Sequence, residues 1–116
     1  MTSRDHHEQR RTHRKRVDFT AQVTDVIAGR PFGQLGNLSA TGMLLISDTP
    51  PRSEAIYQLR LPLPGLDDGR EFIVVGVQEQ WHEQAGTPGQ VWAGYRIVSI
   101  SEGDTARLGA WLALPT

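Results

Sequence analysis

The sequence predicts an all-β protein, a six-stranded antiparallel β-barrel followed by one C-terminal α-helix. Short apolar segments that alternate with a two-residue period recur along residues 18–100, and clusters of glycine, proline and aspartate separate them. The period changes near residue 101, after which apolar residues recur at helical spacing. Short strands at regular spacing followed by a single helix are typical of a barrel with a helical lid.

Six segments have the strand pattern, in the order 18–29, 31–36, 42–47, 55–63, 70–84 and 90–100. Segment 42–47, "GMLLIS", is apolar almost throughout, so we expect a strand buried on both faces. Gly76 lies inside the long fifth segment and predicts a bulge or kink. The two glycines and the proline in "AGTPG" (85–89) predict the turn of a hairpin between the last two strands.

The C-terminal segment predicts a short amphipathic helix. Ser101 and Asp104 have the spacing of an N-terminal cap. One helical face carries three apolar residues, Leu108, Trp111 and Leu112. Gly109 weakens such a helix by about 1 kcal/mol. We therefore expect the helix to depend on packing against the strands.

Composition limits the possible classes of protein. The 116 residues, 38% of them apolar, suit one small domain. No run of eighteen apolar residues predicts a membrane-spanning helix, and the charged N-terminus is unlike a secretory signal. The absence of cysteine excludes disulfides and thiolate metal sites. We expect a cytoplasmic protein and, from the closed barrel and short helix, a monomer.

The charge is distributed unevenly along the chain. Residues 1–16 carry six basic and two acidic side chains, whereas residues 17–116 carry six arginines and eleven acidic side chains. We therefore divide the chain into a flexible basic arm, 1–16, and an acidic barrel with its helix, 17–116. An acidic body argues against general nucleic-acid binding. The arm suits a small anion, although it could also be a solvated tail or could dock on the acidic body.

Two polar motifs follow one another along the chain. Arg10 and Arg14 have the spacing Arg-x-x-x-Arg just before the first strand, and Asn37-x-Ser39-x-x-Gly42 follows the second. Asn37 and Ser39 are one pleat apart, so their side chains are expected on one face, and Gly42 permits a positive φ or a close backbone approach. Alone, the second motif could be an ordinary turn. A hairpin can bring the two motifs together.

The order of these motifs on a six-stranded barrel resembles the PilZ domain family, and "AGYRI" (93–97) is similar to the family pattern near the last strand. The resemblance extends from about Arg10 to about Ile100. It implies a receptor for the bacterial second messenger cyclic di-GMP. Arginine suits this ligand because its planar guanidinium pairs with phosphate and with guanine O6 and N7, and it stacks on base planes.

The resemblance implies a set of ligand-binding residues: Arg10, Arg11, Arg14, Asn37, Ser39, Gly42 and Trp81. The arm arginines would wrap the dianion and become ordered on binding. Asn37 and Ser39 would contact a guanine edge or a phosphate, and Gly42 would allow close approach. Trp81 would stack on a guanine, unless it packs at the barrel rim. The arginine register stays open between Arg10 with Arg14 and Arg11 with Arg16.

Other classes of function fit the sequence less well. Three of the four histidines lie in the arm, and no metal-binding pair, nucleophile elbow or phosphate loop is present. We therefore expect neither catalysis nor a metal or cofactor, no nucleic-acid partner and no membrane association. A ligand-gated adaptor without an output domain would signal to a partner protein in trans. The alternative is a PilZ-fold interaction adaptor that does not bind nucleotide.

Overall fold

The computed structural model describes residues 15–17, 21–66 and 70–115. These residues form the elements β1 (Lys15–Arg16), β2 (Gln22–Asp25), β3 (Arg30–Leu38), β4 (Gly42–Ser47), β5 (Ile56–Pro62), β6 (Phe72–Gln84), β7 (Val91–Ile100) and α1 (Glu102–Ala113). Each of β2–β7 overlaps one predicted strand, and α1 is the predicted helix. Over the described part of the chain, no helix is long and apolar enough to cross a membrane.

The strands form a closed antiparallel barrel. Hydrogen-bonded neighbours follow the order β3, β2, β5, β6, β7, β4, and β4 pairs back onto β3. The predicted six-stranded barrel with a C-terminal helix is therefore confirmed. The two-residue β1 extends it along β3, with Lys15 opposite Leu38 and Arg16 opposite Asn37. Lys15 and Arg16 belong to the predicted arm, but they pair with the barrel. Residues 1–14 of the arm lie outside the described residues.

Alternate side chains of the strands fill the barrel. The strands contribute the following residues to the interior: Val23, Leu35, Leu38, Met43, Leu45, Leu59, Leu61, Ile73, Val75, Val77, Ala93 and Tyr95. Strand β4 alternates too: Met43 and Leu45 are buried, whereas Leu44 and Ile46 are only half-buried. The expectation that 42–47 is buried on both faces was therefore wrong. Its outward apolar side chains line surface clefts instead.

Strand β3 is longer than the predicted segment 31–36, because its glycines serve the pairing with β4. A Cβ at Gly33 would lie 2.9 Å from the carbonyl oxygen of Ile46, so glycine permits this close approach. The register between β3 and β4 shifts between Leu35 and Asn37, which places Gly36 in a bulge. As a result, Asn37 lies within β3, where it pairs with Leu44 of β4.

The predictions for Gly76 and for the helix cap agree with the structure. The register between β6 and β7 shifts between Gly76 and Val77, so the expected bulge is present. The Oγ of Ser101 accepts a hydrogen bond from the Asp104 amide at 3.1 Å, which caps α1. The Asp104 carboxylate accepts another from the Val74 amide at 3.0 Å and so ties the start of α1 to β6.

Candidate functional site

A cleft of about 620 Å³ lies on the outer face of the barrel, and three of the predicted site residues line it: Asn37, Gly42 and Trp81. One row of paired residues connects two of them across four strands. Asn37 of β3 is opposite Leu44, Leu44 is opposite Gly94, and Gly94 is opposite Trp81 of β6. With strands about 4.8 Å apart, three steps separate Asn37 from Trp81 by at most about 14 Å.

Trp81 forms one end of this row, and Gly94 makes room for it. The indole lies against Gly94 so closely that an added Cβ would be 2.6 Å from the Trp81 Cε2. The side chain of Trp81 is nevertheless 46% exposed. An indole supported from below by the backbone and open above is a suitable surface for stacking a planar base.

Trp81 follows a bulge in β6, next to a contact between the buried Glu79 and the half-buried His82. The register between β6 and β7 shifts between Glu79 and Trp81. Glu79 is 3% exposed, and its carboxylate accepts hydrogen bonds from the Glu54 amide at 2.7 Å and contacts His82 Nδ1 at 2.7 Å. Burial alone would raise the pKa of Glu79, but these hydrogen bonds and the charge of His82 lower it. The contact joins the two residues that flank Gln80 and Trp81 in β6.

Ser39 does not share the position of Asn37. Strand β3 ends at Leu38, so the alternation that would place both side chains on one face does not continue. Ser39 is fully buried, and its Oγ accepts hydrogen bonds from the amides of Thr41 at 3.2 Å and Gly42 at 3.1 Å. The Ser39 Oγ therefore shapes the turn between β3 and β4, whereas Asn37 lines the cleft.

Gly42 provides a close backbone approach. Its φ is not positive, unlike those of Gly29, Gly65 and Gly89. A Cβ at Gly42 would lie 2.5 Å from the Tyr95 carbonyl oxygen, which leaves no space for a side chain. Of the two expected reasons for glycine here, close approach is the one present in the structure.

The three predicted arm residues, Arg10, Arg11 and Arg14, lie outside the described residues. Arg16 is described as backbone, and it pairs with Asn37 at the edge of the cleft. The described end of the basic segment is therefore next to a predicted ligand-binding residue.

Sequence reasoning did not assign a role to three residues of the cleft, Glu83, Trp92 and Arg96. The alternation of β7 contained a signal, since Trp92, Gly94 and Arg96 fall on the face opposite to the buried Ala93 and Tyr95. Arg96 donates a hydrogen bond to the Gln78 side chain at 3.3 Å and brings a positive charge to the cleft. Glu83 and Arg96 are the charged side chains among the described lining residues.

A second outer cleft, of about 600 Å³, contains none of the predicted site residues. Its lining includes Gln22, Phe32 and Gln34. Over 15–17, 21–66 and 70–115, no group of three or more acidic or histidine side chains could hold a metal ion.

Comparison with known proteins identifies the family and the fold. A protein-family model described as "PilZ domain" matches residues 8–114. The structure of the Bacillus subtilis inhibitor of motility, MotI/DgrA, aligns with a TM-score of 0.69 at 14% identity, over 87% of this chain and 48% of that chain. This chain thus spans about half the length of MotI/DgrA, and the likeness at this identity shows a common fold. No curated protein matches.

Proposed function

Because the chain belongs to the PilZ domain family, we propose that it is a receptor for cyclic di-GMP that acts as an adaptor toward a partner protein. PilZ domains are typically receptor or adaptor modules rather than catalysts. The observation that carries the proposal is the shared cleft of Asn37, Gly42 and Trp81, which lie in three different strands and come together on one outer face.

The cleft has the chemistry that guanine nucleotides need. Trp81 offers a stacking surface, and the Asn37 side chain can donate and accept hydrogen bonds at a base edge or a phosphate. Gly42 lets β4 lie close against the Tyr95 carbonyl of β7 in the cleft wall. A cleft of about 620 Å³ is within the usual size range of small-molecule sites.

The two phosphates require positive charge, which the basic segment supplies. Arg16 pairs with Asn37, and Lys15 is opposite Leu38, so the chain enters the barrel beside the cleft. Arg14 is bonded directly to Lys15, and consecutive Cα atoms are about 3.8 Å apart. In our proposal, Arg10 and Arg14, with Arg11 next, pair bidentately with the phosphates and stack on the bases. Ser39 acts by shaping the turn that holds Gly42.

Binding then changes the surface of the protein. Arginines that fold over the ligand become part of a new exposed face, and a partner protein that recognises this face receives the signal in trans. In this role the protein acts in the cytoplasm as a monomer and needs no metal, cofactor, nucleic acid or membrane. MotI/DgrA is named as an inhibitor of motility, so motility is one process in which to test the proposal.

The alternative is an adaptor with the same fold that does not bind nucleotide. Titration of cyclic di-GMP into ¹⁵N-labelled protein distinguishes the two. The receptor predicts saturable shifts of the Gly42 and Gly94 amides and of the Trp81 indole, whereas Gly86, in the β6–β7 turn, stays unchanged. Spectra without saturable shifts would leave the adaptor without nucleotide as the function.

A further inference from the structure

One carboxylate lies in a cleft for which we propose a doubly anionic ligand. Glu83 lines the cleft and is exposed, and it is directly opposite Trp92, which is 41% exposed. A negative charge near phosphates weakens their binding. Glu83 therefore opposes the ligand unless its carboxylate contacts a part of the ligand that donates hydrogen bonds.

The outer face of the barrel places Glu83 and Trp92 beside Trp81. Residues 81 and 83 alternate with His82, so the side chains of Trp81 and Glu83 point the same way. Trp81 is opposite Gly94, which makes Trp92 its diagonal neighbour across the strands. Such diagonal neighbours are about 7–8 Å apart, within the reach of aromatic side chains. The cleft thus has two exposed indoles, with a carboxylate next to the second.

Guanine matches this arrangement. Its Watson–Crick edge presents two adjacent donors, the ring N1–H and the 2-amino group, and a carboxylate accepts both. Adenine has an acceptor at N1 and no 2-amino group, so it would be repelled. The Cβ atoms of opposite residues are about 4.5–5.5 Å apart, so the flexible Glu83 side chain can reach the edge of a base stacked on Trp92.

We infer that Glu83 and Trp92 form the guanine-specific part of the cleft, in which Trp92 stacks on a base and Glu83 reads its Watson–Crick edge. This inference rests on the proposed function, because it names the residues that select guanine within the same cleft. It explains why a carboxylate belongs in an anion-binding site, since charge-assisted hydrogen bonds to a base offset its repulsion of the phosphates.

Calorimetric titration of cyclic di-GMP into the wild type, Glu83→Gln and Glu71→Gln tests the inference. Glu71 is an exposed carboxylate before the other end of β6 and serves as the matched control. We expect Glu83→Gln to weaken binding about tenfold or more, the usual effect of losing a hydrogen bond to a charged group, and Glu71→Gln to leave it unchanged. Circular dichroism checks that both variants are folded.

Whether Glu83→Gln binds cyclic di-GMP more weakly or more tightly than the wild type distinguishes base recognition from simple repulsion. If Glu83 only repels the phosphates, Glu83→Gln binds more tightly, and this result, like unchanged binding, overturns the inference while the receptor function stands. If the wild type does not bind cyclic di-GMP, the proposed function fails and the inference fails with it.

Cyclic di-IMP, which lacks the 2-amino group, gives an independent test from the ligand side. The wild type should lose affinity for it, relative to cyclic di-GMP, by a larger factor than Glu83→Ala does, because the alanine variant has no acceptor for the 2-amino group. Equal losses in both proteins contradict the inference. Trp92→Phe should retain more affinity for cyclic di-GMP than Trp92→Ala, since a phenyl ring still stacks. Wild-type affinity in both variants would exclude Trp92 from the site.

Discussion

The Nζ of Lys15 donates a hydrogen bond to the carbonyl oxygen of Trp111 at 2.8 Å, although 95 residues lie between them in the chain. The same ammonium donates to the Leu114 carbonyl at 3.1 Å and lies 4.3 Å from the centre of the Trp111 ring. Helix α1 has no basic residue in its last turn. Lys15 therefore supplies, from β1, the positive charge that favours a helix C-terminus.

Replacing Lys15 should destabilise the fold. Lys15→Met keeps much of the apolar stem but removes the ammonium from two carbonyl oxygens. We expect the free energy of unfolding to fall by about 1–3 kcal/mol, as measured by urea denaturation. Arg52→Met is the control, because Arg52 is an exposed basic residue in the loop before β5. A Lys15→Met protein as stable as the control would show that the contact contributes nothing.

Chemical labelling provides a second test, because Lys15 is the only lysine of the chain. The structure buries it to 7% exposure, so its amine should react with an acylating reagent much more slowly in the folded protein than in urea. The α-amino group serves as the internal reference, and mass spectrometry measures both rates. Equal rates in folded and unfolded protein would contradict the buried position.

Two glycines of the cleft should respond differently to the same substitution. A Cβ at Gly94 meets the Trp81 side chain, which can rotate away, so Gly94→Ala should keep most of the stability. It should nevertheless weaken cyclic di-GMP binding about as much as Trp81→Ala does, because Gly94→Ala displaces the indole from its stacking position and Trp81→Ala removes it. Undisturbed binding by folded Gly94→Ala would exclude Trp81 as that surface.

Gly42→Ala should instead damage the fold. Its Cβ would meet the Tyr95 carbonyl oxygen, which belongs to the paired strand β7 and cannot move without the sheet. We expect a loss of more than about 1 kcal/mol in the free energy of unfolding, within the range for overpacking. Thermal denaturation measures this loss of stability. Gly86→Ala is the control, since a Cβ at Gly86 has open space around it. Equal melting temperatures would contradict the close approach.

The buried carboxyl of Glu79 predicts a dependence of stability on pH. The pKa of Glu79 lies below its ordinary value of 4.5. A carboxyl with a lower pKa in the folded state stabilises the fold above its unfolded pKa, and this contribution disappears as the pH falls through the folded value. The free energy of unfolding of the wild type should therefore decrease more steeply below about pH 4.5 than that of Glu79→Gln. Parallel pH profiles would contradict the prediction.

The fold was predictable because burial follows the alternation of the strands. The ends of the strands were harder to predict. Gly33 and Gly36 suggest a turn in the sequence, but in the structure Gly33 allows β3 to lie close to β4, and Gly36 lies in a bulge of β3. The sequence predicted Asn37 and Trp81 as site residues without indicating that Gly94 joins them in one row. The role of Lys15 could not be predicted, because its partners are backbone carbonyls at the distant end of α1.

The central claim is that the arginine segment and the cleft bind cyclic di-GMP together. Calorimetric titration of the wild type, Arg14→Ala and the control Arg52→Ala tests it most directly. We predict micromolar or tighter binding by the wild type and the control, and its loss in Arg14→Ala. Binding that survives in Arg14→Ala would move the register to Arg11 and Arg16. Absence of binding by the wild type would contradict the receptor function.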